Sequence, residues 1–317
     1  MIAMYYPYFR GKQFDLSAVR ENAQLWARSK FIPIIEPVRE ALSGLIRTLD
    51  DVNVAGGEVV LVVNPKNGDH AGNSDVIENL LNVNYKEYKN IVAGIYVTEK
   101  TTIDEIIGFC DRNADRPISI IHAGFAEGRA LRASLDNRQG SYTHIFFEDD
   151  SGKLYRRHFD DRPRILLRDG FQRRANRLHP EVEYFSDLHA TYSDEGMDGF
   201  GDFLIVGDEY LEAGGPAYAV AIHLTFIDSE KDDEMHIYHF KSDRFDTPTD
   251  PAGKFAEAVK KLAGAVIAEN SKIPRTNAVE EFLEFNRSGH FPGLGYVKKL
   301  SMQHHMEVLA RYFDTQG

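Results

Sequence analysis

The sequence predicts a (β/α)8, TIM-barrel-like α/β fold that carries a C-terminal β-hairpin and helices as an appendage. The first observation is the run 31–38, which is almost wholly apolar and lacks alternation, as in a parallel strand buried on both faces. The second is that eight such runs recur roughly every 25–35 residues, mostly with a helical pattern between them. The third is the length of 317 residues, enough for one large or two ordinary domains. An open doubly wound sheet is the alternative.

The eight strands are predicted at short runs rich in β-branched and aromatic residues. These runs are 4–9, 31–38, 59–63, 91–97, 118–121, 143–147, 164–167 and 203–206. Apolar stripes at helical spacing predict helices near 16–27, 41–49, 102–112, 125–135 and 179–192. Thr102 and Glu105 have the spacing of a capping box at the start of one of them.

The link between strands six and seven is irregular. Residues 150–159 are too few and too rich in turn formers for a crossover helix, and 150–152 has the composition of a hairpin turn. We therefore expect a distorted barrel there, or one miscounted strand.

Beyond the eighth run the pattern changes to an antiparallel hairpin. Strands at 217–227 and 235–241 flank the acidic loop 228–234, and a turn centred on Lys231 would place His223 opposite His239. Helices are predicted at 251–269, 276–287 and 298–313. The predicted domains are a barrel over 1–216 and an appendage over 217–317.

Composition limits the classes of partner. The formal charge of −12, from 37 basic and 49 acidic residues, argues against a nucleic-acid partner, although an acidic surface suits a basic protein partner. No signal-peptide pattern and no apolar run of about 20 residues occur, so we expect a cytoplasmic protein with no membrane partner. The single cysteine, Cys110, lies on an apolar helical stripe and is predicted to pack in the core.

Several short motifs carry a family resemblance. They are 6–14 (YPYFRGKQF), 16–19 (LSAV), 32–36 (IPIIE), 199–203 (GFGDF), 221–224 (AIHL), 239–240 (HF), 293–295 (GLG) and 304–305 (HH). Together they resemble the beta-protein family, which is named from a phage protein and includes many bacterial members. The resemblance implies a barrel-like α/β fold and an association with mobile or phage-defence gene neighbourhoods. It supplies no established reaction and no catalytic residue.

Charged and polar side chains recur directly after the predicted strands, where parallel α/β sheets bind ligands. The set comprises Arg10, Lys12, Glu36, Asn64, Lys66, Glu99, His122, Glu148, Asp149, Arg168, Asp169 and Asp208. The mixture is typical of acid–base or phosphate chemistry, although the ordinary explanation of each residue alone is a solvated loop charge or an ion pair.

Glu36, His122 and Lys12 are the candidate catalytic residues. Glu36 interrupts an apolar strand and needs a partner if buried, which Arg10 or Lys12 on the neighbouring strand could supply, so a structural ion pair is the alternative. His122 would face the barrel mouth as a base, with a hydrogen-bonded structural histidine as its alternative. The candidate substrate-binding residues are Arg10, Asn64, Lys66, Glu99, Arg168 and Asp169.

Motifs for metals and cofactors are weak, and we predict no metal ligand and name no cofactor. No His-Glu-x-x-His occurs, and His236 and His239 point to opposite faces of a strand. The adjacent His304 and His305 are typical of packing, which leaves the predicted cross-strand couple of His223 and His239. Nucleophile motifs and glycine-rich phosphate loops are absent, and the basic cluster 168–177 is either a phosphate grip or a solvated helix face.

Two functions from different classes remain open. One is an enzyme that acts on an anionic or phosphorylated substrate at the carboxyl ends of the strands. The other is a non-enzymatic sensor or interaction component of a phage-defence or mobile-element system, which binds a protein partner.

Overall fold

The computed structural model describes residues 5–212 and 214–316, so Met4 of the first predicted strand lies outside it. The strands are β1 (Tyr8–Phe9), β2 (Ile34–Ile35), β3 (Val59–Val62), β4 (Ile91–Val97), β5 (Ile118–His122), β6 (Tyr142–Phe147), β7 (Arg164–Leu167), β8 (Val182–Ser186), β9 (Gly199–Gly201), β10 (Ala221–Asp228) and β11 (Glu234–Lys241). The helices are α1 (Gln13–Glu21), α2 (Ala23–Ser29), α3 (Ser43–Val54), α4 (Asp75–Asn84), α5 (Ile103–Arg112), α6 (Gly128–Asp136), α7 (Lys153–Arg156), α8 (Leu188–Thr191), α9 (Pro251–Ile267), α10 (Asn277–Ser288) and α11 (Leu294–Gln316).

Eight parallel strands form the barrel, in the order β1-β2-β3-β4-β5-β6-β7-β9. The two ends of this sheet meet, because Tyr5 pairs in parallel with Phe200. The Tyr6 N–H donates to the Phe200 carbonyl oxygen over 2.8 Å, and the Tyr8 N–H donates to that of Asp202 over 2.9 Å. With helices between most strands, the (β/α)8 prediction is confirmed.

Gly201 permits the close approach of strands at this closure. A Cβ atom at that position would lie 2.1 Å from the carbonyl oxygen of Tyr6 and 2.4 Å from Cδ2 of Leu167. No side chain fits in that space, so the strand that completes the barrel must carry glycine there.

The predicted position of the eighth strand, 203–206, is wrong. The strand is β9, and the apolar run after it forms a turn in which Leu204 has a φ of 51°, a left-handed conformation that does not continue a strand. The hairpin turn considered for 150–152 is also wrong. Strands β6 and β7 are parallel, and the short helix α7 followed by a 3₁₀ turn at Arg157–Phe159 connects them, so the strand count holds.

The barrel interior is filled by alternate residues of the strands. Its buried cluster consists of Tyr6, Tyr8, Ile32, Ile34, Val60, Val62, Val92, Tyr96, Ile121, Ile145, Phe147, Ile165, Leu167 and Phe203. Alternation along a strand sends the intervening residues toward the helices. Cys110 on α5 is buried as predicted, and burial raises the pKa of its thiol to about 12. Helix α5 begins with the predicted Thr102–Glu105 capping box.

The chain divides into two compact units. The barrel unit is Met1–Arg168 with Thr191–Phe203, and the sheet–helix unit is Asp169–Ala190 with Leu204–Gly317. The second unit therefore begins earlier than the predicted appendage 217–317, because 169–190 and 204–216 lie within the predicted barrel domain 1–216. Of the helix predicted at 179–192, only α8 at its end is present, because β8 occupies the middle of this stretch and pairs with β11.

The sheet–helix unit is built on an antiparallel sheet in the order β10-β11-β8. His223 lies directly opposite His239, so the predicted hairpin register is confirmed. Residues of β10, α9, α10 and α11 share one apolar core that includes Leu224, Phe255, Phe282 and Leu300. Within the described part of the chain, no helix combines the length and apolarity required to cross a membrane.

Candidate functional site at the barrel mouth

Glu36 lies just beyond β2 at the carboxyl end of the barrel and is fully buried. Its Oε1 accepts from the backbone N–H groups of Lys66 (2.9 Å) and Asn67 (3.1 Å), and from Nδ2 of Asn67 (3.1 Å). Its Oε2 accepts from the Tyr8 hydroxyl (2.9 Å) and from Nη1 of Arg10 (3.5 Å). A carboxylate has about four lone-pair sites, so these five donor groups saturate it.

The loop after β3 folds back over Glu36 because of its backbone. Gly68 has a φ of +75°, and a Cβ atom there would lie 2.2 Å from the carbonyl oxygen of Val38. Only glycine combines that left-handed conformation with so close an approach. The turn thereby aims the N–H groups of Lys66 and Asn67 at the carboxylate.

Two tyrosines extend this network across the barrel interior. The Tyr8 hydroxyl donates its hydrogen to Glu36, so in its short hydrogen bond with Tyr96 it must be the acceptor. Burial, and then the charge of Glu36, raise the pKa of Tyr8 well above its usual value. The chain Tyr96 to Tyr8 to Glu36 therefore consists of two phenol hydroxyls that donate in turn, and it ends on one carboxylate.

Arg10 is buried between this carboxylate and two aromatic rings. Its guanidinium carbon lies 5.0 Å from the centroid of the Tyr8 ring and 5.7 Å from that of Phe203. With Nη1 near Glu36, the cation is held by an ion pair and by ring faces. The structural ion pair considered as the alternative for Glu36 thus exists with Arg10.

Lys66 places a cation over the aromatic residues of the barrel interior. Its side chain is exposed, yet Nζ lies 4.8 Å from the Phe147 ring centroid and 5.4 Å from that of Tyr96. Among the described residues, no carboxylate forms an ion pair with this ammonium. The mouth thus has an aromatic floor and a solvent-facing positive charge, where barrels bind their ligands.

Other predicted residues near this end have separate roles. The Asn64 side chain donates to the Tyr96 carbonyl (3.0 Å) and accepts from its N–H (2.7 Å), which joins β3 to β4. Arg168 forms a bidentate pair with Glu148, at 2.6 and 2.9 Å. Glu99 is exposed, and Lys12 is half-buried at the start of α1.

Asp169 belongs to the sheet–helix unit, where its carboxylate accepts from the N–H groups of Phe171 (2.9 Å) and Asp208 (2.7 Å). Both contacts fix backbone within that unit. Its place in the binding set stays a prediction that these contacts do not favour.

The predicted orientation of His122 is wrong. Ile121 occupies the interior position on β5, so His122 faces outward into the helix layer, fully buried. Nδ1 lies 2.7 Å from the Tyr155 hydroxyl and Nε2 lies 2.9 Å from Nδ1 of His144. Burial lowers the pKa of His122 well below its usual value, and His144 lowers it further. The hydrogen-bonded structural alternative describes this residue.

Sequence reasoning missed Tyr8, Tyr96 and Asn67 as members of the site. Alternation could have found the two tyrosines, because both take interior positions near strand ends. The part played by Asn67 depends on the turn at Gly68, which has no signature in side-chain pattern.

No protein-family model, curated protein or solved structure matches the chain. The resemblance to the beta-protein family therefore stays a prediction based on its short motifs. Any function must be argued from the geometry of the two units.

Proposed function

We propose that the barrel unit binds an anionic small molecule, of the phosphate or phosphoester class, at the carboxyl end of its strands. The observation that carries this proposal is the Lys66 ammonium over Tyr96 and Phe147 without a carboxylate partner among the described residues. An ammonium beside ring faces gains from a second, anionic partner, since the rings compensate its charge only in part. With a formal charge of −12 overall, attraction of an anion must come from such a local cation.

The geometry favours binding over turnover. Glu36 has no lone pair left for a substrate proton, and His122 faces the helix layer. Glu36 therefore has a positioning role in the proposed site: it holds the loop that carries Lys66. A sensor that responds to its ligand fits these roles, and we extend the proposal to a cytoplasmic component of a phage-defence or mobile-element system in the beta-protein family. That extension is supported by the sequence motifs alone.

The test is calorimetric titration of the untagged protein with phosphate, pyrophosphate and nucleoside phosphates. Lys66→Met keeps the aliphatic stem and removes the charge, so we expect affinity to fall about 10- to 100-fold, the value of one charge-assisted contact. Lys86→Met is the matched control, because Lys86 is an exposed lysine that precedes β4, at the amino-terminal end of the strands. The affinity of Lys86→Met for phosphate compounds should equal that of the wild type.

Two results would contradict the proposal. One is that no phosphate compound binds, and the other is that Lys66→Met and Lys86→Met change affinity equally. If the protein releases inorganic phosphate from a bound ester, and Lys66→Met abolishes this activity, the proposed site would be correct but its function would be catalysis and not binding alone.

A further inference from the structure

Three histidines of the sheet–helix unit meet on one face of its sheet. His223 on β10 and His239 on β11 are directly opposed, and their Nδ1 atoms lie 2.7 Å apart. His179, three residues before β8, stacks on His239 with ring centroids 4.2 Å apart. One nitrogen from each ring lies within 4.8 Å of the other two. Three imidazoles at that range form a donor set for a single ion.

Glu183 orients two of these rings. Its Oε1 lies 2.9 Å from Nε2 of His239 and 3.4 Å from Nδ1 of His179, and its Oε2 accepts from Arg174 over 2.8 Å. A carboxylate behind an imidazole fixes the tautomer and turns the opposite nitrogen into the ligand atom. The nitrogens left for a ligand are Nδ1 of His239 and Nε2 of His179.

Nε2 of His179 is the informative atom. It is buried and has no hydrogen-bond partner among the described residues, whereas buried polar atoms are normally satisfied. A hydrogen bond between two neutral imidazoles would explain the short distance from His223 to His239. That hydrogen bond leaves Nε2 of His179 without a partner, whereas an ion shared by all three rings would supply one.

We propose that Nε2 of His179, Nδ1 of His223 and Nδ1 of His239 bind one divalent transition-metal ion, for which zinc is the best fit. Zinc prefers neutral imidazole, and three protein ligands leave its fourth tetrahedral position open. Tetrahedral ligands with bonds of about 2.0–2.1 Å lie about 3.3 Å apart. Binding therefore requires the close pair to separate slightly and His179 to approach.

The surroundings suit such an ion. Phe171 covers the rings, with centroids 5.5 Å from His179, 5.2 Å from His223 and 6.4 Å from His239. His223 is half-buried whereas the other two are buried, so solvent reaches the cluster on its side. Glu183 supplies a negative charge behind the ligands.

The experiment titrates untagged, metal-free full-length protein with Zn²⁺ by calorimetry and with Co²⁺ by visible absorption. We expect one ion per chain and an intense four-coordinate Co²⁺ spectrum that Zn²⁺ abolishes. Glu183→Gln should weaken binding about 10- to 100-fold, as for other groups behind a metal ligand, and His179→Gln should weaken it more. His236→Gln is the control, because His236 lies on the same strand but on the opposite face, beside Glu234 (3.1 Å).

Circular dichroism of each metal-free variant separates loss of binding from loss of fold, and His223→Gln replaces any variant that fails to fold. The wild-type titration needs no variant, and absence of one-to-one binding there overturns the proposal. Equal affinity in wild type, His179→Gln and His236→Gln also overturns it, because the ion would then bind elsewhere.

Discussion

Glu36→Gln should destabilise the barrel unit, although the side chains have nearly the same shape. Both oxygens of Glu36 face donors: the Lys66–Asn67 loop on one side, and Tyr8 with Arg10 on the other. A glutamine must turn its NH2 group toward one of these sets. Donors then face donors around a side chain that is fully buried.

The expected cost is about 3–5 kcal/mol, the range for removal of one partner from a buried ion pair. Each buried donor left without an acceptor costs about 1–3 kcal/mol, which gives a similar total for two donors. For a unit of this size the melting temperature should fall by roughly 10 °C.

Urea unfolding followed by tryptophan fluorescence measures this cost, since Trp26 is the single tryptophan and lies buried in the barrel unit beside Phe9 of β1. Glu99→Gln is the control: an exposed glutamate after β4 should change stability by less than about 0.5 kcal/mol. A Glu36→Gln protein as stable as that control would refute the positioning role of Glu36.

Three further predictions use the same fluorescence assay. Gly201→Ala should cost at least about 3 kcal/mol, because its methyl group would overlap the Tyr6 carbonyl, and a stable variant would contradict the described closure. Tyr8→Phe should cost about half as much as Glu36→Gln, since it removes one donor to Glu36 and the acceptor of the Tyr96 hydroxyl but leaves the charge pair; equal costs would count against that division. Burial lowers the pKa of His144 to about 3 and that of His122 well below its usual value, so the unfolded chain binds more protons below pH 6.5. The unfolding free energy should therefore fall by about 2 kcal/mol per histidine from pH 7.5 to pH 5, and a constant value would be inconsistent with neutral buried imidazoles.

The barrel was predictable because its strands carry their own signal. The run 91–97 and the run 164–167 coincide with β4 and β7, as expected for parallel strands that are apolar on both faces. This signal failed at β9, where Gly199-Phe-Gly201 must fit closely against the backbone of Tyr6 and so lacks the bulky apolar residues of the other strands. It also failed at β8, whose conformation depends on pairing with β11.

The candidate site was predictable only as a location. The positions of the strand ends indicated Glu36 and Lys66. They did not show that Glu36 faces the barrel interior whereas His122 faces the helices, because a shift of one residue along a strand moves a side chain to the opposite face. The turn at Gly68 directs two backbone N–H groups at Glu36, so the proposed role of Glu36 is to hold the loop in place and not to act as an acid or base. No sequence pattern shows the direction of backbone N–H groups. The position of the hairpin turn was enough to predict that His223 and His239 lie opposite each other. His179 could not be predicted as their neighbour, because only the tertiary structure brings it to them.

The proposed function requires the barrel mouth to bind an anion at Lys66. The most direct measurement is a crystal structure of the protein grown with pyrophosphate, compared with crystals of Lys66→Met grown in the same way. We expect an anion within about 3 Å of Nζ of Lys66, above Tyr96 and Phe147, and we expect it to be lost in the variant. A mouth without the anion in wild-type crystals, or an anion that persists in the variant, would contradict it.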